Sequence, residues 1–277
     1  MLATIRSGKS ASAALAKESS SELVLMDVGT FEQPELKGHA REQDSALIRF
    51  VSKRIRSGAR NPATHAALTL SEFERAFAVG RQAAIDAAQD GVKVIAAGEM
   101  GIGNTTAASC LAVLLADVDI SRAVGRGAGV DDQGLATKLE IVKVAVARTR
   151  TECRNDLELI ASVSGLEHAA MAGLFAGARE ANLTVVLDGF VASSAGLVAE
   201  RLRPGAASVM IAAHQSAEPG HAAVLDCLGL QPYLQWDMRL GEGTGALLLM
   251  PLLDAAAAIV TNMGTFSGIG LAPNRDA

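Results

Sequence analysis

The chain has 277 residues, enough to bury a full α/β core as one large domain or one with a small appendage. Apolar residues make up 49% of it and aromatic ones only 3%, so the core is expected to be mostly Ala, Val, Leu and Ile. A net charge of −5 with no basic cluster argues against a nucleic-acid groove. Cys110, Cys153 and Cys227 stand far apart with no CxxC, as reduced thiols of a cytoplasmic protein do.

The stretch before Ser21 is Ser-rich and basic but has no apolar signal core; a packed helix over Ser10–Lys17 is expected. Glu22–Val28 predicts a strand ending in Asp27-Val28-Gly29. A polar connection to Asp44 and a short helix or strand over Ala46–Arg54 follow. Thr69 or Ser71 caps a helix over Glu72–Asp90, stopped by Gly91. Val92–Ala97 reads as a buried strand and leads into a glycine turn. Beyond the glycine-rich loop Gly125–Gly129, Asp131-Asp132 reads either as a metal pair or, equally well, as an N-cap and first-turn acid for a helix over Gly134–Arg148. Helices over Asp156–Ser162, Leu166–Ala181, Ala192–Arg203 and Ala222–Leu228 are interleaved with strands over Leu183–Leu187 and Ser208–Ala213. Gly245–Val260 is apolar but shorter than the roughly 20 residues of a membrane span, and Pro251 and Asp254 interrupt it.

Strands alternating with helices of this length predict a parallel sheet covered by helices on both faces. Such sheets bind ligands at the carboxyl ends of their strands, so Asp27/Gly29, Gly98/Glu99, Asp188/Gly189 and His214 should converge on one crevice. At the centre stands Glu99-Met100-Gly101-Ile102-Gly103-Asn104-Thr105-Thr106. Three glycines (98, 101, 103) let backbone approach a ligand, and Asn104 or Thr105 is placed to cap the helix that follows. A strand, a glycine turn and a helix N-terminus together suit an anion, phosphate above all. The order G-x-x-G-x-G is neither a P-loop nor a dinucleotide fingerprint; a tight βα connection would use the same glycines. Glu242, set between Gly241 and Gly243 before an apolar helix, is either a ligand-facing carboxylate or a solvated loop acid beside a helix N-terminus. His214 and His221 flank Glu218 without metal-ligand spacing, and no metal or cofactor is expected.

GEMGIGNTT (98–106) resembles the signature of the nicotinate-nucleotide:dimethylbenzimidazole phosphoribosyltransferases, which assemble the lower nucleotide loop of cobalamin. GRGAGVDDQGLATK (125–138), LDGFVASSAGLVA (187–199), HQSAEPGH (214–221) and RLGEGTGA (239–246) are similar to the same family, in the same order. The resemblance implies an α/β fold with a doubly wound, Rossmann-like parallel sheet over residues 22–233. It also implies a small helical domain from residues 1–21 plus 234–277, and a homodimer. Members of the family carry a longer N-terminal part, so this chain reads as an N-terminally short member. The implied reaction moves 5-phosphoribosyl from nicotinate mononucleotide to 5,6-dimethylbenzimidazole or a related base. By the resemblance Glu242 and Lys138 are catalytic, while Glu99, Gly101, Ile102, Gly103, Asn104, Thr105, Gly125, Gly127, Gly129 and Ser216 bind the nucleotide and its phosphate. The alternative is a non-catalytic mononucleotide-binding paralogue, or a partner subunit for a longer homologue.

Overall fold

The computed structural model describes residues 2–31 and 48–270. The chain opens with two short helices, α1 (Leu2–Arg6) and α2 (Ala11–Glu18). Ser10 caps the second, its hydroxyl accepting from the Ala13 N–H at 3.1 Å. Strands β1 (Leu23–Asp27) and β2 (Ile48–Ser52) follow, then the long helix α3 (Leu70–Gln89) and strand β3 (Val94–Ala97). Helices α4 (Asn104–Leu115), α5 (Ile120–Ala123), α6 (Asp132–Glu152), α7 (Asp156–Val163) and α8 (Leu166–Ala181) separate β3 from β4 (Thr184–Leu187). Helix α9 (Phe190–Leu202), strand β5 (Met210–Ala212), α10 (His221–Leu228) and α11 (Thr244–Asn262) complete the order.

The architecture is α/β, and among the described residues every strand pairing is parallel. Among the described residues the ladders form two sheets, β1–β2 and β3–β4–β5, rather than one continuous sheet. Of the segment expected as helix or strand over Ala46–Arg54, residues Ile48–Ser52 form a strand; most of the polar connection to Asp44 lies outside the described residues. Asp131 caps α6 by accepting from the Gly134 N–H at 2.8 Å, as read from the sequence.

Thr69, not Ser71, caps α3. Its hydroxyl accepts from the Glu72 N–H at 3.2 Å and the Glu72 carboxylate accepts back from the Thr69 N–H at 2.8 Å, a closed capping box. The same carboxylate holds Arg60 at 2.7 Å and Arg56 at 3.2 Å. Helix α3 then crosses α8 with backbone against backbone. A Cβ on Gly80 would fall 1.7 Å from the Ala170 carbonyl oxygen, and one on Gly173 1.9 Å from that of Phe77. Only glycine permits that approach. Phe73 and Phe175 are fully buried in the core shared by these helices, each worth about 1.5–3 kcal/mol of burial.

Helix α11 is longer than the apolar run suggested. It spans 19 residues, and its most apolar 18-residue stretch has mean hydropathy 1.8, enough by length and composition to cross a membrane. Its first turns, from Thr244 to Leu247, are buried in the fold, whereas Leu252, Ile259 and Val260 are exposed.

Replacing Glu72 by Gln should lower stability at pH 7 by roughly 1 kcal/mol, through loss of a charged cap and its arginine partners. Arg60 holds the Glu72 carboxyl down from its usual 4.5 to about 2. The contribution of the charge is therefore complete above pH 4.5 and fades as pH falls toward 2. Urea unfolding at stepped pH should show the deficit of Glu72→Gln closing across that window; a constant deficit would mean the ion pairs contribute nothing.

Candidate active site

The loop leaving β3 and the loop entering α11 are pressed together at Gly98. A Cβ there would lie 2.1 Å from the Gly243 nitrogen and 2.3 Å from the Glu242 carbonyl carbon. The Glu242 N–H donates to the Glu99 carbonyl at 3.2 Å, locking the two turns. Gly241, Glu242 and Gly243 all adopt left-handed backbone, with φ of 77°, 60° and 76°. Glycine adopts this freely, but for Glu242 it is a strained placement, the kind that persists where surrounding contacts impose it.

Asp188, at the exit of β4, fixes the same loop from below. Its carboxylate accepts from the N–H groups of Gly245 (2.7 Å), Gly243 (3.2 Å) and Ala246 (3.3 Å), satisfying the otherwise orphaned first turn of α11. His214, beyond β5, packs on Gly245, where a Cβ would stand 2.1 Å from its Cδ2. Gly98/Glu99, Asp188 and His214 thus meet around one loop. Asp27 and Gly29 border the cavity in front of it.

That cavity, of about 2100 Å³, is lined by Glu99, Gly101, Ile102, Gly103, Asn104 and Glu242 among others. The expected cap of α4 is corrected here. Gly103, with φ 78°, takes the N-cap position, and among the described residues no side chain caps the helix. Asn104 instead turns back, its Nδ2 donating to Glu99 Oε2, which also accepts from the Gly101 N–H at 2.8 Å. A buried carboxylate binds an amide donor more strongly than a neutral oxygen would, so Glu99 captures the side chain expected to cap the helix. The uncapped N-terminus of α4 remains turned toward the cavity.

Burial pushes the Glu99 carboxyl up, only partly offset by the Gly101 and Asn104 donors. Glu167, on the first turn of α8, lies beyond the same Asn104. Burial raises it too, but His168, with Nδ1 3.2 Å from Glu167 Oε1, and Asn104 together hold it below the usual range. Two carboxyls joined through one amide are thereby driven in opposite directions. The Glu242 carboxylate is held by α2: its Oε2 accepts from the Ser12 hydroxyl at 3.0 Å and the Ser12 N–H at 3.3 Å.

The remaining predicted residues gather behind α4. Lys138 donates to Thr105 Oγ1 at 2.9 Å and to the Gly125 carbonyl at 2.8 Å, with Glu218 Oε2 3.9 Å away. Burial lowers the Lys138 ammonium, and Glu218 opposes that shift. Glu218 Oε1 accepts from the Gly127 N–H at 2.8 Å, while Ser216 Oγ accepts from the Glu218 N–H at 3.4 Å. His221 Nδ1 accepts from the Ser216 N–H and its Nε2 meets Ser193 Oγ, both at 2.9 Å. Burial, with His214 nearby, pushes His221 down to about 3, so it is a neutral hydrogen-bonding ring at physiological pH. Gly129 joins neither group; it turns in left-handed backbone at φ 117° on the surface.

Sequence reading missed Ser12, the Glu167–His168 pair and the link from Glu218 to Lys138. Glu218 carried a signal in its place between the two histidines, whereas Ser12 carried none, its partner lying 230 residues away. Among the described residues no three His, Cys, Asp or Glu side chains stand together as a metal site.

A family model described as "Phosphoribosyltransferase" matches residues 1–270. The nicotinate-nucleotide–dimethylbenzimidazole phosphoribosyltransferase of Ralstonia nicotianae is 44% identical over 222 residues, which is 80% of this chain and 62% of that protein. The enzyme of the same name from Bradyrhizobium diazoefficiens is 38% identical over 277 residues, all of this chain and 76% of the relative. In structure, CobT from Thermus thermophilus superposes with TM-score 0.87 at 39% identity, over 98% of this chain and 78% of that one. The chain therefore spans between about three fifths and four fifths of the length of these relatives.

Gly98→Ala should force the two turns apart, at a cost of about 1–3 kcal/mol of overpacking. Urea unfolding measures the loss. Hydrogen exchange at the Glu242 amide measures the broken lock; an amide as protected as in the parent would show that the junction tolerates a methyl group.

Proposed function

The chain belongs to the nicotinate-nucleotide–dimethylbenzimidazole phosphoribosyltransferase family, and on that premise we propose that it transfers 5-phosphoribose from nicotinate mononucleotide to 5,6-dimethylbenzimidazole or a related base. The observation that carries the reading is Glu242: a carboxylate in strained left-handed backbone, clamped between the exits of β3 and β4 at the wall of a deep cavity.

In this reading the donor's pyridinium leaves C1′ as neutral nicotinate ring nitrogen, so the departing group needs no metal to neutralise it. One benzimidazole nitrogen forms the new bond to C1′ from the opposite face, converting a β- into an α-glycosidic linkage. The other ring nitrogen sheds its proton to Glu242, a general base worth about 10²–10⁴-fold in rate. Ser12 orients that carboxylate through Oε2. The phosphate is assigned to the uncapped N-terminus of α4 on the side of Thr105 and Lys138. There a helix dipole and an ammonium both favour an anion, while the Gly101 N–H is already taken by Glu99. Gly125, Gly127 and Ser216 shape that end through Glu218 and Lys138. Glu99 lines the cavity where the base would lie, fixed there by the Gly101 N–H and the Asn104 amide.

A homodimer is part of the proposal, supported by the apolar side chains that α11 and the turn after it leave exposed: Leu252, Ile259, Val260, Met263 and Phe266. So is a small helical unit made by residues 1–21 and 234–277, supported by the bonds from Ser12 to Glu242. A cytoplasmic setting is supported by three free thiols, of which Cys110 is pushed up to about 12 by burial.

Incubation with nicotinate mononucleotide and dimethylbenzimidazole, with products separated by chromatography, should yield α-ribazole phosphate and nicotinate. Glu242→Gln should retain mononucleotide affinity and lose about 10²-fold or more in turnover, because the amide keeps the shape and cannot take a proton. Near-parental turnover would remove Glu242 from the role of base. For the dimer, Ile259→Asp with Phe266→Asp should convert the sedimenting species to monomer; unchanged sedimentation would place the interface elsewhere.

A further inference from the structure

Glu218 is a buried carboxylate with no step of its own in the reaction outlined above. Its backbone is fixed on both sides: its N–H donates to Ser216 Oγ at 3.4 Å, and its carbonyl accepts from the His221 N–H at 3.0 Å. His221 is itself held by Ser193, so the run that carries Glu218 is anchored to α9. The carboxylate Oε1 accepts from the Gly127 N–H at 2.8 Å. Oε2 packs on Gly125, where a Cβ would stand 2.6 Å from it. Among the described residues no hydrogen bond reaches Oε2, although that oxygen is fully buried. A buried carboxylate oxygen left without a donor is costly unless a nearby charge compensates it.

The compensating charge is Lys138, whose Nζ lies 3.9 Å from Oε2. A lysine ammonium has three donors. One goes to Thr105 Oγ1 at 2.9 Å and one to the Gly125 carbonyl at 2.8 Å. Glu218 does not take the third, because 3.9 Å is beyond hydrogen-bond reach. Nor can the carboxylate swing closer without giving up the bond from Gly127 to Oε1. The ion pair is thus held slightly open, with its charge balanced and one N–H uncommitted. Thr105 belongs to the first turn of α4, so that N–H stands at the helix end that favours an anion. A plain cross-link between the loops would need only the bond from Gly127, which a glutamine carbonyl makes as well.

We propose that Glu218 is a positioning residue: it keeps Lys138 charged inside the fold and leaves the third N–H of that ammonium for the phosphate of the ligand. The inference rests on the placing of phosphate beside Thr105 and Lys138 under the proposed function. Burial lowers the Lys138 ammonium, and the Glu218 carboxylate opposes that shift. The other titratable group acting on Lys138 is the Cys110 thiol of α4, which burial pushes up to about 12 and so keeps neutral. Without the Glu218 charge, Lys138 gives up its proton at lower pH. Anion binding, which needs that proton, is then present at the acid end and lost earlier as pH rises.

The test follows the side-chain NMR resonance of Lys138 in the full chain as pH is raised. In Glu218→Gln its midpoint should fall by about one pH unit or more, the effect of losing an opposite charge at this range; an unchanged midpoint would overturn the proposal. Inorganic phosphate, added at stepped pH, is read from the Thr105 and Gly127 amide resonances. It should bind the variant as tightly as the parent at the acid end and about tenfold more weakly between the two midpoints. Weakening by one factor at every pH would reduce Glu218 to a structural cross-link and overturn the proposal, as would phosphate that moves neither amide in the parent. Adding Lys138→Met to Glu218→Gln should cost about tenfold less in the folding equilibrium than adding it to the parent, or restore folding if Glu218→Gln alone fails to fold. Equal losses, or no restoration, would mean that the two charges do not act on each other. No arm uses nicotinate mononucleotide or turnover, so failure here and failure of the phosphoribosyl reading are separate results.

Discussion

The site depends on one buried carboxylate. Asp188 receives three backbone N–H groups from the start of α11, and with them the left-handed run that carries Glu242 is pinned to the end of β4. The helix dipole favours a negative charge at this position and burial favours one that is fully hydrogen-bonded. Gly98 and Gly245 remove the side chains that would otherwise hold β3 and His214 away from the same loop. Without that anchor the strain at Glu242 would relax, and the carboxylate would lose its fixed direction.

Acid–base character is then divided between neighbouring groups by their surroundings. Glu99 is driven up by burial, Glu167 is held down through His168, and Asn104 donates toward both. Lys138 is lowered by the same apolar enclosure that makes its bonds to Thr105 and the Gly125 carbonyl strong. The cavity thus has a wall of carboxyl groups at Glu99 and Glu242, with the Lys138 ammonium, beside Glu218, behind α4. That polarity suits a ligand with an anionic tail and a heteroaromatic head.

Much of this was legible in the sequence because it is local. Alternating apolar strands and helices, the capping signal at Thr69, and the motifs around 98–106 and 241–245 all have short-range signatures. The division of the described strands into two sheets was not legible, because a strand's period says which face is buried and not which strand lies beside it. The N-cap of α4 was misread for a different reason. Asn104 is a good cap in isolation, but Glu99, five residues earlier, offers it a charged acceptor. The bond from Ser12 to Glu242 joins the two ends of the chain, and no local pattern encodes a partner that distant.

The glycine contact between α3 and α8 bears on how the molecule can move. Packed helices slide by letting side chains switch rotamers, and at Gly80 and Gly173 no side chains separate the two backbones. The pair therefore has almost no shear compliance and behaves as a single beam. Glu167 rides on the end of that beam, so its distance from Asn104 is set by a rigid body. The α2 side of the site is held more lightly, since α2 reaches Glu242 through the hydroxyl and N–H of one serine.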